Sequence, residues 1–295
     1  MITPVYSGSG PLRVAWLFSG GASSAVYCID NPAPEYQSVV ALTNDPEAPG
    51  ISKLRDRGLE AAIVPDRDSI REDGWRERYY DRVLDELEKY RPDVVACSGW
   101  MLIIKGEMLQ KYPHQSLNVH PAWLSIVSND RIKQNYSNYP TSAVEAIMRY
   151  SKMKRRYTGD DAVFDAILDG ERETVSTIHF VDGGKDTGPI AMRSDPLPVD
   201  ESIHKYQEMI RRPKIRAASE QEARRVLREY SNAHQERQKW ECDGPVFSMA
   251  LRLTGQGILG FGPDRRTVHY KSGEEWVALP YGGMNMKIAD EILRD

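Results

Sequence analysis

The feature that most constrains this chain is an alternation. Short apolar runs are each followed by a break rich in Gly, Ser, Asn or Pro, and then by a segment of helical period. Residues 13–18 (Arg-Val-Ala-Trp-Leu-Phe) open the series as a strand apolar enough to be buried on both faces. Residues 38–42, 61–64, 93–97, 117–120 and 175–181 continue it. Helices are predicted between them at 25–29, at 50–57 with Gly58 as a left-handed cap, and at 75–90 with Tyr79, Val83, Leu84 and Leu87 on one face. Strands separated by helices imply right-handed crossovers. The predicted fold class is therefore α/β, a Rossmann-like, mostly parallel sheet flanked by helices.

Two charged stretches interrupt this rhythm. Residues 125–156 contain a helix opened by the capping box Ser142-x-x-Glu145. Residues 205–238 are predicted to hold a helix over 219–230. After Gly244-Pro245 a helix reaches residue 253, and turn-rich strands at 258–261, 267–270 and 276–279 make a short C-terminal β region at about 255–283. The first 11 residues lack the basic-then-apolar order of a signal peptide and read as a frayed start. At 295 residues, 40% hydrophobic and 28% charged, the composition is that of an ordinary globular chain. A net charge of −4 supplies no basic field for nucleic acid or an acidic membrane. No apolar run approaches ~18 residues, so a cytoplasmic location is expected. Cys28, Cys97 and Cys242 lie far apart, which excludes a C-x-x-C motif and predicts buried thiols and no metal site.

In such sheets, ligands bind at the carboxyl ends of strands near the switch in strand order. Residues 19–24, 98–101, 118–120 and 182–186 fall there. Asn118 and His120 are two apart on a strand and so share a face. An imidazole moves protons near neutral pH, and an amide can donate to a developing oxyanion. Downstream, Asp182-Gly183-Gly184-Lys185-Asp186 leaves a strand through glycines that allow the loop to fold back and bring Asp186 beside His120. An aspartate there would fix the imidazole tautomer and favour its protonated form. The loop Ser19-Gly20-Gly21-Ala22-Ser23-Ser24 precedes a helix and suits an oxyanion such as phosphate. It matches neither a dinucleotide nor a nucleoside triphosphate fingerprint.

Taken in this order, the segments resemble the glycinamide ribonucleotide formyltransferase family. The matching residues are Ser19-Gly20-Gly21-Ala22-Ser23 after the first strand, Leu42-Thr43-Asn44, Arg91-Pro92-Asp93, Gly99-Trp100-Met101, Leu117-Asn118-Val119-His120-Pro121, Tyr157-Thr158-Gly159, and His179-Phe180-Val181 with Asp186-x-Gly188-Pro189. The resemblance runs from about residue 13 to Gly283. It makes the two charged stretches insertions into a single catalytic domain, residues 1–295, of formyltransferase fold.

What the resemblance implies is transfer of a formyl group from 10-formyltetrahydrofolate to a primary amine, most directly glycinamide ribonucleotide in purine biosynthesis, with no metal. Asn118 and a protonated His120 would stabilise the oxyanion, Asp186 would support His120 and position a relay water, and His179 would stand behind them. Gly20, Gly21, Ala22, Ser23 and Ser24 would hold the acceptor's phosphate and Glu241 its ribose hydroxyls. Trp100, Met101 and Leu102, with Asp182, Gly183 and Gly184, would line the pterin pocket. The partners implied are the amine and the folate, with no nucleic acid or membrane and with a homo-oligomer left open. The family's loop usually has a glycine at Ala22 and an asparagine at Ser24, so a methyl group stands where phosphate would approach. That departure keeps a different amine, such as an amino sugar, as an alternative acceptor. A non-catalytic folate- or nucleotide-binding protein is a further alternative.

Overall fold

Eight short strands assemble the central sheet in a computed structural model that describes residues 1–66, 73–211 and 216–294. They are β1 (Leu12–Phe18), β2 (Tyr36–Thr43), β3 (Ala61–Ile63), β4 (Val94–Cys97), β5 (Ser116–His120), β6 (Thr177–Phe180), β7 (Ile190–Arg193) and β8 (Met284–Asn285). Their spatial order is β8-β7-β6-β5-β4-β1-β2-β3. From β3 to β5 every pair is parallel. The pairs β5–β6 and β6–β7 are antiparallel, and β7–β8 is parallel again.

The apolar density of β1 explains its central place. Side chains alternate across a strand, so Val14, Trp16 and Phe18 enter the core on one face while Ala15 and Leu17 enter on the other. The first face packs on α1 (Ser23–Asp30) and α3 (Gly244–Gly255), where Phe247 meets Trp16 at 5.1 Å between ring centroids. The second face packs on Tyr79, Tyr80, Val83 and Leu87 of α2 (Trp75–Glu88). Strand order reverses between β1 and β4, and their carboxyl ends frame a crevice with that of β5.

Several expectations need correction. The N-terminus is not frayed: Thr3–Pro4 pairs with Leu259–Phe261, and Val5 is buried and donates its amide to Leu259. The C-terminal strands Leu259–Phe261, Val268–Ser272 and Glu275–Ala278 present an edge that this segment covers. The capping box does not form. The helix Thr141–Tyr150 has Pro140 at its cap with no side-chain cap, because Glu145 is drawn to Arg266 at 3.0 Å. The helix expected over 219–230 extends over Ala217–Gln238 and continues through a π-helical turn, Lys239–Asp243, directly into α3. Gly244-Pro245 does not interrupt it, since proline is tolerated in the first turn of the new segment. The strands β7 and β8 have no counterpart in the sequence reading.

The two charged stretches are docked. Within 125–156, Ile126–Ser128 pairs with Lys133–Asn135 on one side and Lys154–Arg155 on the other. Val127, Val144 and Met153 bury themselves with Leu124 against Ile190 and Tyr281. In 205–238, where residues 212–215 lie outside the described ones, Leu227 packs on Val163, Ile167 and Val199. Cys28, Cys97 and Cys242 are buried and unpaired. No helix among the described residues is long and apolar enough to cross a membrane.

The loop from β6 to β7 returns past its own strand at Gly188, where an added Cβ would stand 1.7 Å from the Phe180 carbonyl oxygen. Gly188→Ala is expected to cost about 3 kcal/mol, read as a lowered urea midpoint with an unchanged slope.

Candidate active site

The register of β5 against β6 places His179 directly opposite Asn118 and Thr177 opposite His120. Directly opposed residues on antiparallel strands project to the same face, within side-chain reach. Asn118 Nδ2 accordingly lies 3.1 Å from His179 Nε2. His179 Nδ1 is 3.0 Å from the Phe180 carbonyl, which can only accept. The neutral ring therefore carries its proton on Nδ1 and accepts from Asn118 through Nε2. One amide hydrogen of Asn118 is thus fixed, and the other is left for the cleft.

His120 is oriented in the same way. Its Nε2 donates to the Tyr157 carbonyl at 2.8 Å, which turns Nδ1 toward Asp186. The Asp186 carboxylate stands 3.5 Å from both His120 Nδ1 and His179 Nε2, and it accepts from the Gly159 amide at 2.8 Å. At 3.5 Å the His120 contact is an ion-pair distance, so Nδ1 remains available to a ligand. Asp186 itself has a left-handed φ of 53°, a conformation that costs roughly 1–2 kcal/mol for most residues and that Asp tolerates better than most.

Burial opposes ionisation of Asp186. The two imidazoles beside it and the donating Gly159 amide outweigh it and hold the carboxyl well below the usual carboxylate range. Burial likewise dominates at His120 and lowers its pKa, assisted by the charges of His179 and Arg155 and opposed by Asp186 and the Tyr157 carbonyl. The imidazole is therefore harder to protonate than a free one, because with both nitrogens buried it loses more hydration than one carboxylate 3.5 Å away restores.

These groups line a cleft of about 420 Å³. Of the residues expected at the pterin end, Trp100, Met101, Leu102 and Gly184 line it. Ile103, Ile104 and Val181 join them, an apolar set that the alternation pattern did not distinguish from core. Asp182 and Gly183 are not on the wall. Asp182 accepts from Thr187 and Arg266, and the Gly183 carbonyl accepts from Lys105 at 2.8 Å, so both shape the loop from behind.

At the other end, Ser23 and Ser24 line the cleft but Gly20, Gly21 and Ala22 do not. The Ala22 methyl is buried in the core beneath the sheet and does not obstruct an anion. The Ser24 hydroxyl is buried with no hydrogen-bond partner among the described residues. The amides of Ser24 and Ala25 point to Ser98 Oγ at 3.1 and 3.4 Å. Glu241 is not brought to the cleft. It is bound by Arg237 through both oxygens, at 2.5 and 2.9 Å, and half exposed. The same helix instead contributes Gln235, Lys239 and Asp243. Asp243 is buried and accepts from Ser176, and burial pushes its carboxyl up to about 6 despite that bond. The helical spacing of these three residues was visible in the sequence, but the π turn that sets their direction was not.

A histidine, an asparagine and a buried carboxylate thus stand together at the strand ends of a Rossmann-like sheet, beside an apolar slot. Residues 12–126 match the formyl transferase family. The phosphoribosylglycinamide formyltransferase of Mycobacterium tuberculosis (strain CDC 1551 / Oshkosh) is 26% identical over 216 residues, 71% of this chain and 84% of that protein. Glycinamide ribonucleotide transformylase 1 from Symbiobacterium toebii shares the fold with a TM-score of 0.59 at 21% identity, over 90% of this chain and 97% of that one. The phosphoribosylglycinamide formyltransferase of Coxiella burnetii does so with a TM-score of 0.61 at 15% identity, over 93% and 99%.

The depressed Asp186 pKa has a measurable consequence. A carboxyl whose folded pKa lies below its unfolded value of ~3.9 contributes stability above that pH and loses it as the pH falls through the folded value. Asp186→Asn should cost on the order of 2 kcal/mol at neutral pH, and the gap to the wild type should narrow below about pH 4 in parallel urea titrations.

Proposed function

We propose that this protein transfers the formyl group of 10-formyltetrahydrofolate to the amine of glycinamide ribonucleotide, a step of purine biosynthesis. The observation that carries this reading is the convergence of Asn118, His120 and Asp186 on one cleft wall. An apolar slot lies to one side of them and the unpartnered Ser24 hydroxyl to the other. The slot suits a flat pterin: Leu102, Ile104 and Val181 supply apolar walls, and the 181–186 loop supplies backbone groups. The whole chain is read as one cytoplasmic catalytic domain, with 125–156 and 205–238 as insertions.

When bound, the folate supplies a formyl carbon already joined to a nitrogen that can leave. The free Asn118 amide hydrogen donates to the formyl oxygen as the acceptor's nitrogen bonds to carbon and negative charge grows on that oxygen. Neutral His120 takes the proton the amine sheds, through Nδ1, because Nε2–H is committed to Tyr157. The imidazolium is then stabilised by Asp186, which stays ionised throughout. His120 returns the proton to the folate nitrogen as the carbon–nitrogen bond breaks. Asp186, His179 and Gly159 keep both donors in place, so little reorganisation accompanies the reaction.

A second acceptor class is favoured by one observation. Ser98 already engages the Ser24 and Ala25 amides that would otherwise face a phosphate, which suits an amine carrying a hydroxyl there, such as an amino sugar.

Release of tetrahydrofolate, followed by absorbance, decides between them. Turnover with glycinamide ribonucleotide is expected, and turnover with amino sugars but not with it would sink the leading acceptor. His120→Ala should lower kcat by roughly 10²–10⁴-fold with folate binding retained. In the wild type, kcat/KM should fall as the pH drops through the His120 pKa, which lies below ~6.5, because a ring protonated in advance cannot accept the amine's proton.

A further inference from the structure

The 125–156 insertion touches the catalytic loop at both ends without entering the cleft. At one end Arg155, on the strand Lys154–Arg155, donates from Nη1 to the backbone carbonyl of Asp186 at 2.5 Å. Its Nε donates to the Tyr281 hydroxyl at 3.1 Å, and its guanidinium lies 5.4 Å over the Tyr281 ring. Tyr281 is buried, and its hydroxyl donates to Met148 of the insertion helix. At the other end Arg266 bridges Glu145 of that helix to Asp182, with 3.0 Å to each. Neither Arg155, Tyr281, Glu145 nor Arg266 lines the cleft.

Asp186 needs such a restraint. Its φ of 53° is a conformation the backbone leaves readily, and glycines at 183, 184 and 188 flank it. Its side chain must at the same time reach His120, His179 and the Gly159 amide. A planar guanidinium held by an aromatic ring can fix a carbonyl in direction as well as distance.

We propose that Arg155 is a positioning residue for the transfer reaction, gripping the Asp186 carbonyl so that the carboxylate meets His120. On this account the insertion is a clamp on the catalytic loop. Arg155 does not line the cleft and acts mainly through Asp186, beside a lesser lowering of the His120 pKa by its charge, so the proposal rests on the role given to Asp186 above.

The test is a double-mutant cycle in the full chain, using the amine that the wild type formylates best. Arg155→Met should lower kcat on the order of 10²-fold, the cost of a misplacement of about 1 Å, with KM for folate and amine changed less than about twofold. Arg155→Lys, which restores one donor and the charge, should recover about a tenth of wild-type kcat or more. Because Arg155 acts through Asp186, Arg155→Met should add almost nothing to Asp186→Asn. Unchanged kcat in Arg155→Met overturns the proposal. So does a loss that multiplies with that of Asp186→Asn, or one that Lys does not relieve and that tracks a lower thermal midpoint. Full turnover by Asp186→Asn alone would instead remove Asp186 from the mechanism, a failure distinct from inactivity of Arg155→Met through another route.

Discussion

The geometry of the site hangs on the buried Asp186 carboxylate, whose two oxygens are shared among two imidazoles and one backbone amide. Each partner comes from a different segment. His120 is on β5, His179 is on β6, and Gly159 follows the insertion. Removing this charge would leave His120 with a carbonyl on Nε2 and nothing to stabilise a proton on Nδ1. It would also leave the ring that holds the Asn118 amide tied only through its Nδ1 bond to the Phe180 carbonyl. One carboxylate therefore couples the oxyanion donor to the proton acceptor, although it touches neither reacting atom in the proposed mechanism. The antiparallel register of β5 and β6 makes this possible, since it sets His179 opposite Asn118 instead of one residue to either side.

Much of this was legible in the sequence. The strand alternation located β1 to β6 within a few residues, because fully buried strands have few sequence alternatives. The spacing of Asn118 and His120 fixed their common face. The glycines around Asp186 permitted the return of the loop, and the left-handed φ of Asp186 shows how sharply it turns. What escaped depended on long-range pairing. Thr3–Pro4 looks disordered until the edge strand Leu259–Phe261 is present to receive it. Ser142-x-x-Glu145 is a good local capping signal, but Glu145 gains an ion pair with Arg266, 121 positions away. The downward shift of the His120 pKa was not legible for a related reason, since burial is a property of the assembled site and not of the local motif.

The acceptor end of the cleft shows the same limit in another form. In a regular helix, residues four apart share a face. The five-residue π turn Lys239–Asp243 keeps Gln235, Lys239 and Asp243 on the cleft side. It turns Glu241 outward, where Arg237 neutralises it. A carboxylate was expected at this end, and one is there, but it is Asp243. Its surroundings make it a different kind of group: buried, bonded to Ser176, and raised to about 6. Such a carboxyl is partly protonated near neutral pH, so it can donate to an acceptor oxygen as well as accept from a hydroxyl or an amine.

On the proposed function, acceptor choice and catalysis are separated in the chain. The groups to which it assigns the movement of protons and charge come from β5, β6 and the loop behind them. Those facing the acceptor come from the start of α1 and from the long helix with its π turn. Lys239 of that helix lines the cleft and is paired with Glu236, whereas the Ser24 hydroxyl is neutral and has no partner among the described residues. An incoming phosphate would have to draw Lys239 from Glu236, a partly exposed pair of the kind that holds by ~0–1 kcal/mol. The Ser24 hydroxyl could then join the anion's coordination, and the Ser24 and Ala25 amides only on release from Ser98. The drift of the loop from glycine and asparagine to Ala22 and Ser24 is therefore compatible with phosphate, with part of the binding shifted from the loop to the helix opposite.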